Sequence, residues 1–273
     1  MISPENPIGV FDSGIGGLTV VRQLMKVLPR ENIVYFGDTA RVPYGNKSGE
    51  VVREYAVQDA KFLLSRGVKL IVVACNTASA LAMDVVRSHS TVPSIGVIEP
   101  TAKEAMRQTG PRGVGVIGTL STINSSAYEG ALKSIDAKTQ IMSQACPLFV
   151  PLAEEGMFDH QATELIAREY LSRFSGRIDV MILGCTHYPL LRDVISRILG
   201  NGVKLVDAGE ATARSAYELL SATHMLNTQE SRPRYEFYVS DFPQKFNEIA
   251  ERFLGTKLEF VRKVQIYSNG EIR

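Results

Sequence analysis

Two cysteines close apolar runs and open polar ones, Cys75 in LIVVACNTASA and Cys185 in VMILGCTHYPLL. Each thiol is expected at the end of a strand, followed by a polar pair, Asn76-Thr77 or Thr186-His187, and then a helix, the second one opened by Pro189. A thiol at a helix N-terminus meets unpaired backbone N–H groups and the positive end of the helix dipole, which favour the thiolate. A free cysteine is more commonly just a small buried hydrophobe. That plainer reading suits Cys146, which precedes Pro147 without such a polar pair.

For Cys75 and Cys185 a repeat argues otherwise. IGVFDS from Ile8 matches VGVIGT from Val114, LIVVACNT matches VMILGCTH with the cysteines 110 positions apart, and IGVIEP from Ile95 matches KLVDAG from Lys204. VPYG from Val42 and VPLAEEG from Val150 occupy the same slot after the second strand of each copy. The two halves read as copies of one βαβαβα plan, with a thiol at the same place in each.

Two opposed thiols can do one of two things. A disulfide pair needs Cβ atoms about 3.8 Å apart, whereas thiols flanking a reacting carbon need roughly 6 to 7 Å between sulfurs. In the second case one thiolate removes a Cα proton and the opposite thiol delivers one to the other face, inverting the centre. Without a cofactor to delocalise the carbanion, the site must exclude water and stabilise charge with preorganised donors. A hydrolase using Cys185 and His187 is conceivable, but it leaves Cys75 unexplained. Candidate groups for adjusting the thiols are Asp12 and Ser13 beside Cys75, and His187 and Glu154 beside Cys185. Asp12 alone would pass for a helix cap, and Glu154 has Glu155 as its neighbour.

The glycines of DSGIGGLT lack the spacing of a dinucleotide fingerprint, and no Walker lysine follows, so they read as a tight turn exposing Asp12 and Ser13. His89, His160 and His224 fall in or at the start of expected helices without clustered partners, so no metal is expected. Thirty basic residues against twenty-nine acidic ones among 273 leave a net charge of +1, which points to a small-molecule partner rather than nucleic acid or a membrane surface. Three cysteines at long spacing make no disulfide framework. The beginning, MISPENPIGVFDSG, does not resemble a signal peptide, and no apolar run approaches the roughly 20 residues of a membrane span, so a cytoplasmic protein is expected.

Short Val/Ile-rich runs alternating with amphipathic segments predict an α/β fold of mainly parallel sheets. Strands are expected at Ile8–Phe11, Ile33–Phe36, Lys69–Ala74, Ser94–Val97, Gly113–Ile117, Lys138–Gln144, Asp179–Leu183 and Val203–Val206. The tail predicts a helix over Glu210–Leu226, an alternating strand at Tyr235, Phe237 and Val239, and a further helix and strand. Two pseudo-symmetric doubly wound domains are therefore expected, residues 1–97 plus 208–273 and residues 98–207, with the site in the cleft between the C-terminal strand ends.

FDSGIGGLTV, GDTARVPYG, ACNTASA, VIGTLSTINSSAY, CPLFVPLAEEG and LGCTHYPLL together closely resemble the bacterial glutamate racemase family of the aspartate/glutamate racemase superfamily, from about Ile8 to Leu220. The resemblance implies a racemase independent of pyridoxal phosphate, making D-glutamate for peptidoglycan, with Cys75 and Cys185 as the acid/base pair and Asp12, Glu154 and His187 assisting. It implies glutamate contacts from Asp12, Ser13, Tyr44, Gly45, Asn76, Thr77, Thr119, Thr122, Thr186 and His187, with no dedicated arginine. By repeat position, Cys75 is expected to take the proton from D-glutamate. A homodimer is implied, and, with few residues before Ile8, no dependence on a peptidoglycan-precursor activator. Ala153 departs from the larger aliphatic residue common in the family. The motifs, rather than physics, favour glutamate: an aspartate-specific relative differs by one carbon, worth about 1 to 3 kcal/mol in a pocket. A non-catalytic binder of small anions is the alternative from another class.

Overall fold

The computed structural model describes residues 2–258, 260–267 and 271–272. Its first half runs β1 (Ile8–Asp12), α1 (Leu18–Val27), β2 (Ile33–Gly37), α2 (Gly49–Ser65), β3 (Leu70–Val73), α3 (Asn76–Leu81), α4 (Met83–His89) and β4 (Ser94–Gly96). The second comprises α5 (Ile98–Gln108), β5 (Val114–Gly118), α6 (Leu120–Asn124), α7 (Ala127–Ile135), β6 (Ile141–Ala145), α8 (Phe149–Glu154), α9 (Gln161–Leu171), β7 (Val180–Gly184), α10 (Arg192–Leu199) and β8 (Lys204–Asp207). The tail adds α11 (Ala208–Ala222), β9 (Tyr235–Val239), α12 (Pro243–Leu254) and β10 (Val261–Lys263).

The order β2-β1-β3-β4 in one sheet is matched by β6-β5-β7-β8 in the other, all pairs parallel. This is the repeat seen as topology. β1, β3, β5 and β7 are central, and their residues are buried, which is why they read as unbroken apolar runs instead of alternating ones. β9 and β10 extend the first sheet beyond β2, where Tyr235–Val239 lies in register with Ile33–Gly37. Each sheet is covered on both faces. Leu18, Val21 and Leu24 of α1 share a core with Ala213, Ala216 and Leu220 of α11 and with Phe253 of α12, while α2 and α4 cover the opposite face through Ala56, Leu63 and Val86. In the second sheet Phe149, Leu171 and Ile195 pack on one face and Ala102, Ala105 and Leu132 on the other.

Every expected strand is present, with ends displaced by a few residues, most at Lys138–Gln144, which is strand only from Ile141. Two local expectations fail. No α-helix opens at Pro189: Tyr188–Leu191 form a 3-10 turn, and α10 starts at Arg192. Proline at the start suits a helical turn because its N–H is not needed there, but it does not choose between the two helix types. The turn after β1 does not expose Asp12 either, which is buried, although Ser13 reaches the cavity lining.

Candidate active site

In both sheets the chain leaves the central pair of strands in opposite directions, which opens a crevice at their C-terminal ends. Asp12 ends β1, Cys75 follows β3, Thr119 follows β5 and Cys185 follows β7. Between the halves lies a cavity of about 320 Å³ whose lining includes Ser13, Tyr44, Gly45, Cys75, Asn76, Thr77, Thr119, Cys185, Thr186 and His187. Both thiols are free, and about 5% of Cys75 and 6% of Cys185 is exposed, so their chemistry would run largely shielded from water. Larger hollows of about 460 and 890 Å³ contain neither thiol.

The surroundings of the two thiols differ. Cys75 caps α3: its sulfur accepts the Ala78 N–H at 3.5 Å and lies 3.6 Å from Ser13 Oγ. Burial nevertheless pushes the Cys75 thiol up to about 12, the charge of Asp12 adding to it, because the Ala78 and Ser13 hydrogen bonds do not offset the loss of water. The expected lowering at the start of α3 is overturned for Cys75; a helix of six residues contributes too little. Cys185 has a histidine instead. His187 Nδ1 lies 3.7 Å from Cys185 Sγ, and Nε2 lies 3.0 Å from Glu154 Oε1. Burial alone would lower the His187 imidazole, but its hydrogen bonds to Cys185 and Glu154, and the charges of both, raise it to about 10. His187 thus stands between the Cys185 sulfur and the Glu154 carboxylate, touching both.

Asp12 lies beneath the lining. Its Oδ2 accepts the Gly14 N–H at 3.0 Å, while Oδ1 is buried without a partner among the described residues. Burial raises its pKa, against the lowering effect of His187 and of the Gly17, Gly14 and Ser13 N–H groups. It does not cap α1, whose N-cap is Gly17 with no side-chain hydrogen bond. Thr122 and Glu154 also stand behind the lining: Thr122 Oγ1 is 2.9 Å from Thr119 Oγ1 and 3.3 Å from Thr77 Oγ1, joining hydroxyls of both halves. Thr77 and Thr119 are themselves 2.9 Å apart.

Two glycines permit the close approach of the halves. A Cβ on Gly16 would lie 2.2 Å from Thr186 Oγ1 and 2.6 Å from the His187 ring; one on Gly45 would lie 2.8 Å from Thr119 Cβ. Ser121 of α6 then donates to the Gly45 carbonyl at 2.7 Å.

Residue types alone missed Tyr128. Its hydroxyl donates to Asn76 Oδ1 at 2.6 Å, which leaves Nδ2, a buried donor without a partner among the described residues, on a residue of the lining. Tyr128 closes the VIGTLSTINSSAY motif, the one available signal. Also missed were apolar lining residues, Val42, Pro43, Leu120, Leu148, Val150 and Pro151, all of them exposed except the half-buried Val150. His89, His160 and His224 are exposed, and no group of three or more potential metal ligands occurs among the described residues. No helix among them is long and apolar enough to cross a membrane.

Residues 17–216 match the Asp/Glu/hydantoin racemase family. The glutamate racemase of Syntrophus aciditrophicus is 52% identical over 97% of this chain and 98% of its own. The crystal structure of glutamate racemase from Francisella tularensis in complex with D-glutamate superposes with a TM-score of 0.90 at 44% identity, over 96% of this chain and 98% of that one. The Escherichia coli glutamate racemase, in complex with L-glutamate and the activator UDP-MurNAc-Ala, gives a TM-score of 0.79 at 29% identity, over 96% of this chain and 100% of that one. With a parallel two-sheet fold, two thiols in one cleft and these relatives, the chain belongs to the Asp/Glu/hydantoin racemase family.

Proposed function

We propose that this chain is a glutamate racemase that interconverts L- and D-glutamate by proton transfer at Cα between Cys75 and Cys185, independently of pyridoxal phosphate, and supplies D-glutamate for peptidoglycan. The observation that carries the reading is a thiol from each half in the lining of one cavity of about 320 Å³. The choice of glutamate rests on relatives whose structures hold D- and L-glutamate.

The asymmetry of the thiols supports a direction for each. With His187 Nδ1 3.7 Å from its sulfur, Cys185 is the base that removes the Cα proton of L-glutamate. Burial keeps Cys75 protonated, and its S–H proton passes to the opposite face of Cα. D-glutamate leaves with Cys75 a thiolate and Cys185 a thiol, and exchange with solvent restores the starting state. In the reverse direction Cys75 takes the proton from D-glutamate. The negative charge that builds on the substrate between these steps is held by donors already in place, Asn76 Nδ2 and the hydroxyls of Ser13, Thr77, Thr119 and Thr186, with the Tyr44–Gly45 turn closing the site. Asp12, Thr122 and Glu154 act from behind, Glu154 by orienting His187.

The two domains are residues 1–97 plus 208–273 and residues 98–207, a division supported by β9 and β10 joining the first sheet. Family resemblance supports a cytoplasmic homodimer. Incubation with L-glutamate in D2O, without pyridoxal phosphate or metal, tests the function: D-glutamate carrying deuterium at Cα is expected. Exchange with aspartate and not glutamate would overturn the substrate, and no exchange with either would favour a binding protein.

A further inference from the structure

Behind the cavity wall lies a cluster of charges that the reaction does not use. Tyr44 lines the cavity, yet its hydroxyl points away from it, 2.5 Å from Asp38 Oδ2 and 2.9 Å from Asp59 Oδ2. Asp38, Asp59 and Tyr44 are all fully buried. Arg41 donates from Nε to Asp38 Oδ2 at 2.6 Å and from a terminal nitrogen to Asp59 Oδ1 at 3.0 Å; its remaining nitrogen donates to Gln58. On the far side Ser240, just past β9, accepts the Ala40 N–H at 2.8 Å and donates to Asp38 Oδ1 at 2.9 Å.

A phenol has one proton to give. Two carboxyl oxygens stand within hydrogen-bond distance of it, so if both carboxyls were ionised, one contact would set lone pair against lone pair in a buried site. The partners decide which carboxyl carries the extra proton. Asp38 already receives donors on both oxygens, from Arg41, Ser240 and Tyr44, and it has no room for a proton of its own. Among the described residues, the Tyr44 hydroxyl is the one hydrogen-bond partner of Asp59 Oδ2. One ionised carboxylate also balances the one guanidinium, and a second would leave a buried negative charge unpaired.

We propose that Asp59 is held as a neutral carboxylic acid that donates to the Tyr44 oxygen while Tyr44 donates to ionised Asp38, and that this relay positions the substrate-facing turn at Tyr44–Gly45. Its surroundings agree: burial raises Asp59 well above the usual carboxylate range, and the charge of Asp38 and, more weakly, that of Asp12 add to it, outweighing Arg41 and Tyr44. The relay reaches the cavity through a short path. Tyr44 to Asn46 form a 3-10 turn, and Gly45 packs against Thr119 of the other half. The tail enters the same structure, because Thr39 Oγ1 donates to the Asp241 carbonyl at 2.6 Å and Ser240 holds Asp38. Asp38, Arg41 and Asp59 are positioning residues, since none of them lines the cavity.

Infrared spectroscopy of the full chain labelled with carboxyl-¹³C aspartate tests the protonation directly, whether or not glutamate is the substrate. A protonated-carboxyl stretch at neutral pH is expected to vanish in Asp59→Asn and to persist in Asp12→Asn. A spectrum without it, or one in which Asp59→Asn leaves it intact, overturns the proposal. Racemisation of L-glutamate tests positioning and rests on the proposed function. Asp59→Asn keeps the shape and donor of the neutral acid and should leave KM within about threefold, whereas Asp59→Ala, losing the donor to Tyr44, should raise KM about tenfold with a smaller change in kcat. Equal damage from Asn and Ala would contradict the relay. A protein without racemase activity would fail the functional reading while the infrared band still decided the proton.

Discussion

Cys75 follows β3 and caps α3; Cys185 follows β7 and precedes a 3-10 turn. The two strands are equivalent in the repeat and central in their sheets, yet the thiols meet opposite surroundings. Burial and the nearby Asp12 charge keep the proton on Cys75, whereas His187, tied to Glu154, stands against Cys185. Duplication thus delivered two thiols to one cleft, and the residues that differ between the copies give them different surroundings. Neither Ser13 nor Asp12 supplies a cation beside Cys75 as His187 can beside Cys185, and under the proposed function this difference makes one thiol the acid and the other the base.

The sharpest break in that pairing is removal of either thiol. Cys75→Ser and Cys185→Ser should each lower racemisation in both directions by roughly 10³-fold, since a hydroxyl is a far poorer acid/base at this pH; initial rates from each enantiomer check this. His187→Asn should cost about 10²-fold. Because the equilibrium constant fixes the ratio of kcat/KM for the two enantiomers, that loss must be shared, and the asymmetry appears elsewhere. The primary isotope effect with Cα-deuterated L-glutamate should rise above that with the D-enantiomer, since removal of the proton by Cys185 becomes the slower step. Equal isotope effects would remove His187 from the Cys185 side.

Smaller effects probe how the halves meet. Gly16→Ala puts a methyl group 2.2 Å from Thr186 Oγ1 and should destabilise the protein by about 1 to 3 kcal/mol while raising KM, measured by denaturant unfolding and kinetics. Tyr128→Phe frees the Asn76 amide to rotate and should raise KM about threefold to tenfold, an effect that disappears in an Asn76→Ala background. Persistence of the loss in that background would make Tyr128 merely structural. The smallest effect concerns stability. His187 is raised from an ordinary value of 6.5 to about 10, so its charged interactions stabilise the fold fully below 6.5 and are lost as pH rises through about 10. The Tm advantage of wild type over His187→Asn should therefore narrow across that range.

The central strands were legible because two buried faces make unbroken apolar runs, and the tail strand because Tyr235, Phe237 and Val239 alternate. The paired cysteines were legible because a repeat compares a position with itself. Less could be read where the answer depends on desolvation or on contacts between distant segments. A thiol at the start of a helix looks acidic in sequence, but burial of Cys75 outweighs six residues of helix. Gly16 looked like a turn residue, and its actual constraint is Thr186, far along the chain in the other half. Asp38 falls in the GDTARVPYG motif, but Asp59 lies outside every such motif, and their sharing of Tyr44 is a contact the sequence does not display. Leu120, Leu148 and Val150 line the cavity as plain apolar residues, indistinguishable in sequence from core.

The most direct test of an acid opposite a base is where solvent deuterium goes during the first few per cent of conversion of L-glutamate in D2O. Separate thiols should place deuterium at Cα of the D-glutamate formed while the remaining L-glutamate stays unlabelled, because the proton removed by Cys185 is never the one returned by Cys75. Equal early labelling of both enantiomers would mean that one group serves both faces, and it would contradict the division of roles between Cys75 and Cys185.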